Sequence, residues 1–135
     1  MRRSTMIAAG FAAGFAAVAA SLAAAAPAAA AFGAFAYDEA TGKYGYSWNQ
    51  KTEKLADEAA LKGCAADGCK IVFRTKPRQC GAIATAEKGK AWGGARRPTR
   101  AAAELAALQS CQKHTSGQCK VRGAECNTGS RRGRE

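Results

Sequence analysis

Six cysteines, one histidine and two runs of basic side chains are the groups in this 135-residue chain whose type and spacing could do chemistry. As thiolates, Cys64, Cys69, Cys80, Cys111, Cys119 and Cys126 could bind zinc or attack a carbonyl. Their spacings match no two-by-two zinc pattern, and no Cys-x-x-Cys redox pair is present. A cysteine nucleophile also needs a free thiolate and an orienting base. His114 is the single histidine, and its polar surroundings read as a solvated loop. Gly-x-Ser-x-Gly is absent. Gly42-Lys43 and Gly89-Lys90 lack the other glycines and the hydroxyl residue of a phosphate loop, so they read as hairpin turns. A small hydrolase would have to use Asp57, Glu58 and Glu104, which occupy ordinary solvent-facing helix positions. The sequence therefore implies no catalytic, cofactor or metal site. An even number of cysteines in a short exported chain implies disulfides instead.

Basic charge is the remaining chemical signal. The chain holds 21 Lys and Arg against 10 Asp and Glu, a formal net charge of +11. Lys70, Arg74, Lys76 and Arg78 form one run. Lys88, Lys90, Arg96, Arg97 and Arg100 form a second, which is the candidate binding surface. Such a surface attracts acidic or phosphate-rich partners.

The compartment is read from the first 31 residues. Met1-Arg2-Arg3 is followed by an uncharged, Ala-rich run from Ile7 to Ala31 and an Ala28-Ala29-Ala30 motif, the pattern of a secretory signal peptide. The expected mature chain starts near Phe32, with no retained transmembrane segment, in the periplasm or outside the cell. Taking Arg2 and Arg3 from the 21 basic side chains still leaves 19 against 10 acidic ones. In that compartment the expected partner is an anionic envelope component or an acidic protein, and nucleic acid is disfavoured.

These groups must be positioned by a duplicated unit. Gly42 to Cys64 aligns with Gly89 to Cys111 without a gap, pairing Thr52 with Thr99, Ala59-Ala60-Leu61 with Ala106-Ala107-Leu108, and Cys64 with Cys111. Upstream, Gly33-Ala-Phe-Ala matches Gly81-Ala-Ile-Ala, with one residue fewer assigned to the second turn. Downstream, Cys69-Lys-Ile matches Cys119-Lys-Val, and each copy closes on a third cysteine, Cys80 or Cys126. Such self-similarity is sought before a fold is assigned. Each copy reads as a strand, a Gly-containing turn, a returning strand, an N-capped helix and a last strand. Tyr44, Tyr46 and Trp48 share one strand face and are expected in the core. Ile71 and Phe73 are expected on one face, with Val72 on the other. Ala56, Ala59, Ala60 and Gly63 form a small-residue helix face, repeated by Ala103, Ala106, Ala107 and Ser110. The last strand of the second copy is expected to be short, Cys119 to Arg122. The predicted fold is α+β: two pseudo-symmetric β-β-α-β units, about 33–80 and 81–126, with antiparallel strands, two helices and disulfide staples. Residues 127–135 are expected to be a basic disordered tail.

Gly-Ala-Phe-Ala-Tyr, the Gly-Lys-Tyr-Gly-Tyr-Ser hairpin, an Ala-rich helix ending in Cys, Gly-Cys-Lys-Ile-Val and Cys-Gly-Ala-Ile-Ala together resemble a secreted bacterial family, domain of unknown function 4189. The resemblance covers Phe32 to about Cys126. It implies an exported compartment and this fold unit, and brings no activity or catalytic residue.

Six cysteines allow 15 pairings. The duplication favours Cys64–Cys69, Cys111–Cys119 and Cys80–Cys126, the last joining positions taken as equivalent. The rival map is Cys64–Cys80, Cys111–Cys126 and Cys69–Cys119. The expected function is a small non-catalytic, basic binding module. The alternative is an inhibitor or immunity-type protein that docks on a partner enzyme.

Overall fold

Along residues 34–37, 44–48 and 82–86, small residues alternate with larger ones, and this division sets how the layers stack. The computed structural model describes residues 31–128. The expected leader and the tail beyond Thr128 lie outside the described residues. The elements are β1 (Phe32–Tyr37), β2 (Tyr44–Gln50), α1 (Glu53–Cys64), β3 (Lys70–Thr75), β4 (Cys80–Ala86), β5 (Trp92–Arg97), α2 (Arg100–Gln112) and β6 (Cys119–Cys126). They form two antiparallel three-stranded sheets, ordered β2-β1-β3 and β5-β4-β6. In each unit the helix crosses from one edge strand to the other over the central strand. The architecture is thus α+β, two similar β-β-α-β units.

Both helices start where hydroxyl caps place them. The Thr52 side chain accepts from the Leu55 amide at 3.1 Å, and Thr99 accepts from the Ala102 amide at 3.3 Å. Each satisfies an amide that the first helical turn leaves without a partner. α1 ends where Ala65 turns left-handed and its amide bonds to the Leu61 carbonyl.

Small residues face the helices. Ala34 and Ala36 of β1 pack on Ala56, Ala60 and Cys64 of α1. Ala82 and Ala84 of β4 pack on Ala103, Ala107 and Cys111 of α2. Gly45 and Gly93 bring the layers closest. A methyl group on Gly45 would strike the Ala60 carbonyl and Cys64 amide, and one on Gly93 would strike the Ala107 carbonyl and Cys111 amide. Ser47 is buried in the same layer without an unmet polar atom. Its hydroxyl accepts from the Ala34 amide and donates to the Ala56 carbonyl.

The larger residues face the other way and join the two sheets. Phe35 lies between Phe73, at 4.4 Å between ring centroids, and Tyr46, at 5.7 Å. Phe35, Tyr37 and Ile83 are buried at this layer's centre. Burying a ring of that size contributes about 2–3 kcal/mol by area. Tyr44 and Tyr46 join the layer as the strand pattern implies, while Trp48 at the strand's end is 41% exposed. The first unit supplies most of the rings and the second supplies the seats. The Phe73 ring covers Gly94, and the Tyr46 ring covers Gly123.

The pairing registers revise the internal alignment in two places, the hairpin and Cys80, and revise one expected strand face, that of Ile71. The two hairpins are equal in length: Tyr37 opposes Tyr44 as Thr85 opposes Trp92. The extra residue of the first copy sits at the other end of β2, where the register slips and Asn49 turns left-handed at φ 53. Asn tolerates that region better than most side chains. In β3, Phe35 opposes Phe73 and Ala36 opposes Ile71, so Val72 is bulged. Ile71 then packs toward α1, and Val72 joins Phe73 between the sheets. Finally, Cys80 opens β4 rather than closing the first unit. Its counterpart is Phe32, so the unit boundary falls before Cys80.

The disulfides are Cys64–Cys69, Cys80–Cys126 and Cys111–Cys119, with no free cysteine. The pairs are those the duplication favours, but Cys80 and Cys126 are not equivalent positions of the two units. The two are directly opposed on neighbouring strands of the second sheet and do not meet across the pseudo-dyad. The first unit has Phe32 where the second has Cys80. β6 also runs to Cys126, eight residues rather than the four expected. Gly123 lies within it, beneath the Tyr46 ring.

Asn127, expected to begin a disordered tail, is 1% exposed. Its Oδ1 accepts from the Asn49 amide at 3.0 Å, and its Nδ2 donates to Thr75 Oγ1 at 2.9 Å and the Lys76 carbonyl at 2.8 Å. Its amide donates to the Gln79 carbonyl. One side chain thus ties the end of the second unit to the bulge and last strand of the first. Asn127→Ala is expected to cost about 2 kcal/mol, because it strands the Asn49, Thr75 and Lys76 groups of the first unit that the side chain satisfies. Denaturant midpoints would measure this, and a change within experimental error would remove Asn127 from the fastening of the units.

Candidate functional site

The sandwich has two open sides. On one, edge strands β3 and β5 lie together and leave a groove of about 800 Å³. Val72 and Phe73 come from β3, Trp92 to Arg97 from β5, Lys90 from the turn before β5, Ser110 from the last turns of α2, His114 from the turn that follows it, and Glu39 from the first hairpin. The apolar floor therefore joins Val72 and Phe73 of the first unit to Trp92 of the second, and is assembled only by the sheet-on-sheet packing.

The first hairpin holds this side in place. The Tyr37 hydroxyl donates to the Lys90 carbonyl at 2.8 Å, and its ring lies 5.5 Å from that of Trp92. Burial, then the nearby Glu39 and Asp38 carboxylates, push the Tyr37 pKa up, so the hydroxyl keeps the proton it donates. The Asp38 carboxyl lies below the usual carboxylate range. The Thr41 hydroxyl is the main cause, bonding at 2.7 Å, and the Ala40 amide adds to it at 2.9 Å. This closes the turn that carries Glu39 to the groove.

Of the five basic residues singled out from sequence, three line the groove: Lys90, Arg96 and Arg97. Arg96 Nη1 donates to the Arg74 carbonyl at 3.1 Å, joining β5 to β3. Arg97 Nη1 donates to the Arg96 carbonyl at 2.8 Å. None of the three makes a salt bridge among the described residues. Arg100 does not line the groove and pairs with Glu104 at 3.0 Å one helical turn away. Lys88 is exposed in the hairpin turn.

His114 is exposed, as a loop residue would be, yet it borders the groove beside Ser110. Asp57 is held by a two-pronged contact from Arg74, at 2.8 and 2.7 Å. Among the described residues, no three His, Cys, Asp or Glu side chains group closely enough to hold a metal ion. With every cysteine in a disulfide, no thiolate is left for ligation or attack. Sequence reasoning found the basic side of the groove, because those residues cluster along the chain. It missed Val72, Phe73 and Glu39, whose approach to β5 depends on how the sheets face each other.

A duplicated, disulfide-stapled α+β sandwich with a basic groove at one edge is the class of protein these observations define. The chain belongs to the family described as domain of unknown function DUF4189, whose model matches residues 32–126. It is similar to protein Rv1269c of Mycobacterium tuberculosis, 38% identical over 77 residues, 57% of this chain and 58% of that one. It is also similar to the uncharacterized protein Rv1813c of the same organism, 38% identical over 73 residues, 54% of this chain and 48% of that one. The matched stretch is thus about half the length of these relatives. The NMR structure of Rv1813c superposes with a TM-score of 0.53 at 27% identity, covering 94% of this chain and 100% of that chain. Three disulfides suit an oxidising, extracytoplasmic environment. Among the described residues, no helix is long and apolar enough to cross a membrane.

Proposed function

We propose that this protein is a non-catalytic binding module of the extracytoplasmic space, whose groove takes an anionic envelope component or an acidic partner protein. The observation that carries this reading is the gathering of Lys90, Arg96 and Arg97 on one groove with a single opposing carboxylate, Glu39. Arginine suits the task, since its planar fork bonds carboxylate or phosphate with two parallel contacts. The exposed faces of Trp92 and Phe73 add apolar area beneath the charges.

Arg96→Gln with Arg97→Gln tests it. Each basic group near an anionic surface contributes about 1 kcal/mol, so binding to phosphatidylglycerol vesicles or polyglutamate should fall about thirtyfold. The remaining binding should respond less to added salt. Equal binding by the variant and the native chain would leave these charges as a solubilising surface. Tight, salt-insensitive binding to an enzyme would favour an inhibitor instead.

A further inference from the structure

Strand β5 offers an occupant of the groove more than charge. It is hydrogen-bonded to β4 on one side and to no strand on the other among the described residues. Along its six residues, about 20 Å at the usual strand rise, Trp92, Gly94 and Arg96 turn amide and carbonyl to the open edge, because Ala91, Gly93 and Ala95 pair with β4 in the register set by the Ala86 amide on the Ala91 carbonyl. The middle of that row is Gly94, flanked by Gly93 and Ala95, so little side chain shields it. The charges stand at its two ends, Lys90 before Trp92 and Arg96 with Arg97 after Ala95. We propose that this edge takes an acidic segment of a partner protein as an added extended strand, with carboxylates near each end of the segment. The proposal rests on the anion-binding reading above and names its occupant.

The geometry discriminates among anions. An extended peptide meets the backbone row with its own amides and carbonyls and sends alternate side chains toward the groove floor, the general mode of strand addition. A lipid headgroup or a polysaccharide could meet the charges but would leave the strand edge to water. A second copy of this chain could meet the strand edge. It would then set Arg96 and Arg97 against its own basic residues, the device by which edge strands resist self-pairing. An acidic strand satisfies both backbone and charge, and a small apolar residue at its centre would rest on Trp92 and Phe73.

The test is a pooled library of nine-residue peptides, with Asp or Glu near each end and Val or Thr between, presented to the full disulfide-bonded chain. Peptides should be retained, and amide exchange at Trp92, Gly94 and Arg96 should slow on binding, while Gly93 and Ala95, already bonded to β4, should change little. Methylating alternate backbone nitrogens of a retained peptide, at unchanged charge, should weaken it about tenfold. The paired variant Arg96→Glu, Arg97→Glu gives up only exposed bonds to the Arg74 and Arg96 carbonyls, and should lose the peptide while its thermal transition moves by only a few degrees. Equal affinity for the methylated peptide overturns strand addition and leaves the anion reading standing. Vesicles or an acidic polysaccharide binding at the groove where the peptides do not overturns the occupant. Failure of every anionic probe sinks this proposal and the anion reading together.

Discussion

Replacing Cys80 and Cys126 with alanine is expected to lower the unfolding free energy by about 4 kcal/mol. The bond closes a loop with a sequence separation of 46, against 5 for Cys64–Cys69 and 8 for Cys111–Cys119. In the chain-entropy account, cost grows with the logarithm of loop length, so the two shorter bridges should each contribute about 2–2.5 kcal/mol. For a domain of this size, 4 kcal/mol corresponds to a fall in Tm of about 20 °C. The bond also fastens the free end of β6 to the start of β4, the point from which Asn127 reaches the first unit. Calorimetry on the three double alanine variants would rank the bridges. Should the Cys80–Cys126 variant lose no more than the Cys64–Cys69 variant, the loop-length explanation fails.

The second large effect is expected from a single methyl group. Gly45→Ala and Gly93→Ala each place a carbon against the backbone of a packed helix, in the first and second unit respectively. A flexible side chain could move aside, but a helix backbone can only shift as a whole. Overpacking of this kind costs about 3 kcal/mol. Gly63→Ala is the internal control. Its methyl would meet Gly45 Cα at 3.6 Å, ordinary contact, and alanine in place of glycine within a helix gains about 1 kcal/mol. Urea unfolding should therefore move in opposite directions for Gly45→Ala and Gly63→Ala. If all three alanine variants unfold together with the native chain, the helix does not sit as close to the sheet as described.

Much of this structure was legible in the residues. The caps Thr52 and Thr99 sit ahead of Ala-rich runs with helical spacing, and local chemistry decides such starts. The shared face of Tyr44 and Tyr46 was legible in the same way, because it depends only on the two-residue period of a strand. What failed did so where distant parts of the chain decide. Cys80 was assigned to the first unit because three cysteines recur in order, whereas strand pairing puts it in the second. The one-residue offset was placed in a Gly-bearing turn, the usual home of such differences, but it lies at the bulge at Asn49. Asn127 stands in a polar, Gly-rich stretch, and only the arrival of Thr75, Lys76 and Asn49 from the other unit makes it a buried fastener. The groove was half visible for the same reason: its charges are neighbours in sequence, and its floor is assembled across the sheets.

The ring-and-seat arrangement between the sheets bears on what the duplication has become. Tyr46 and Gly94 occupy corresponding positions in the two copies, as do Phe73 and Gly123. In both contacts the ring comes from the first copy and the bare backbone from the second. Two first copies would set ring against ring, and two second copies would leave voids where rings belong. The halves have kept one backbone while becoming as unlike as plug and socket, so neither can stand in for the other, and any drift in one ring is answerable to a glycine in the opposite half of the same chain.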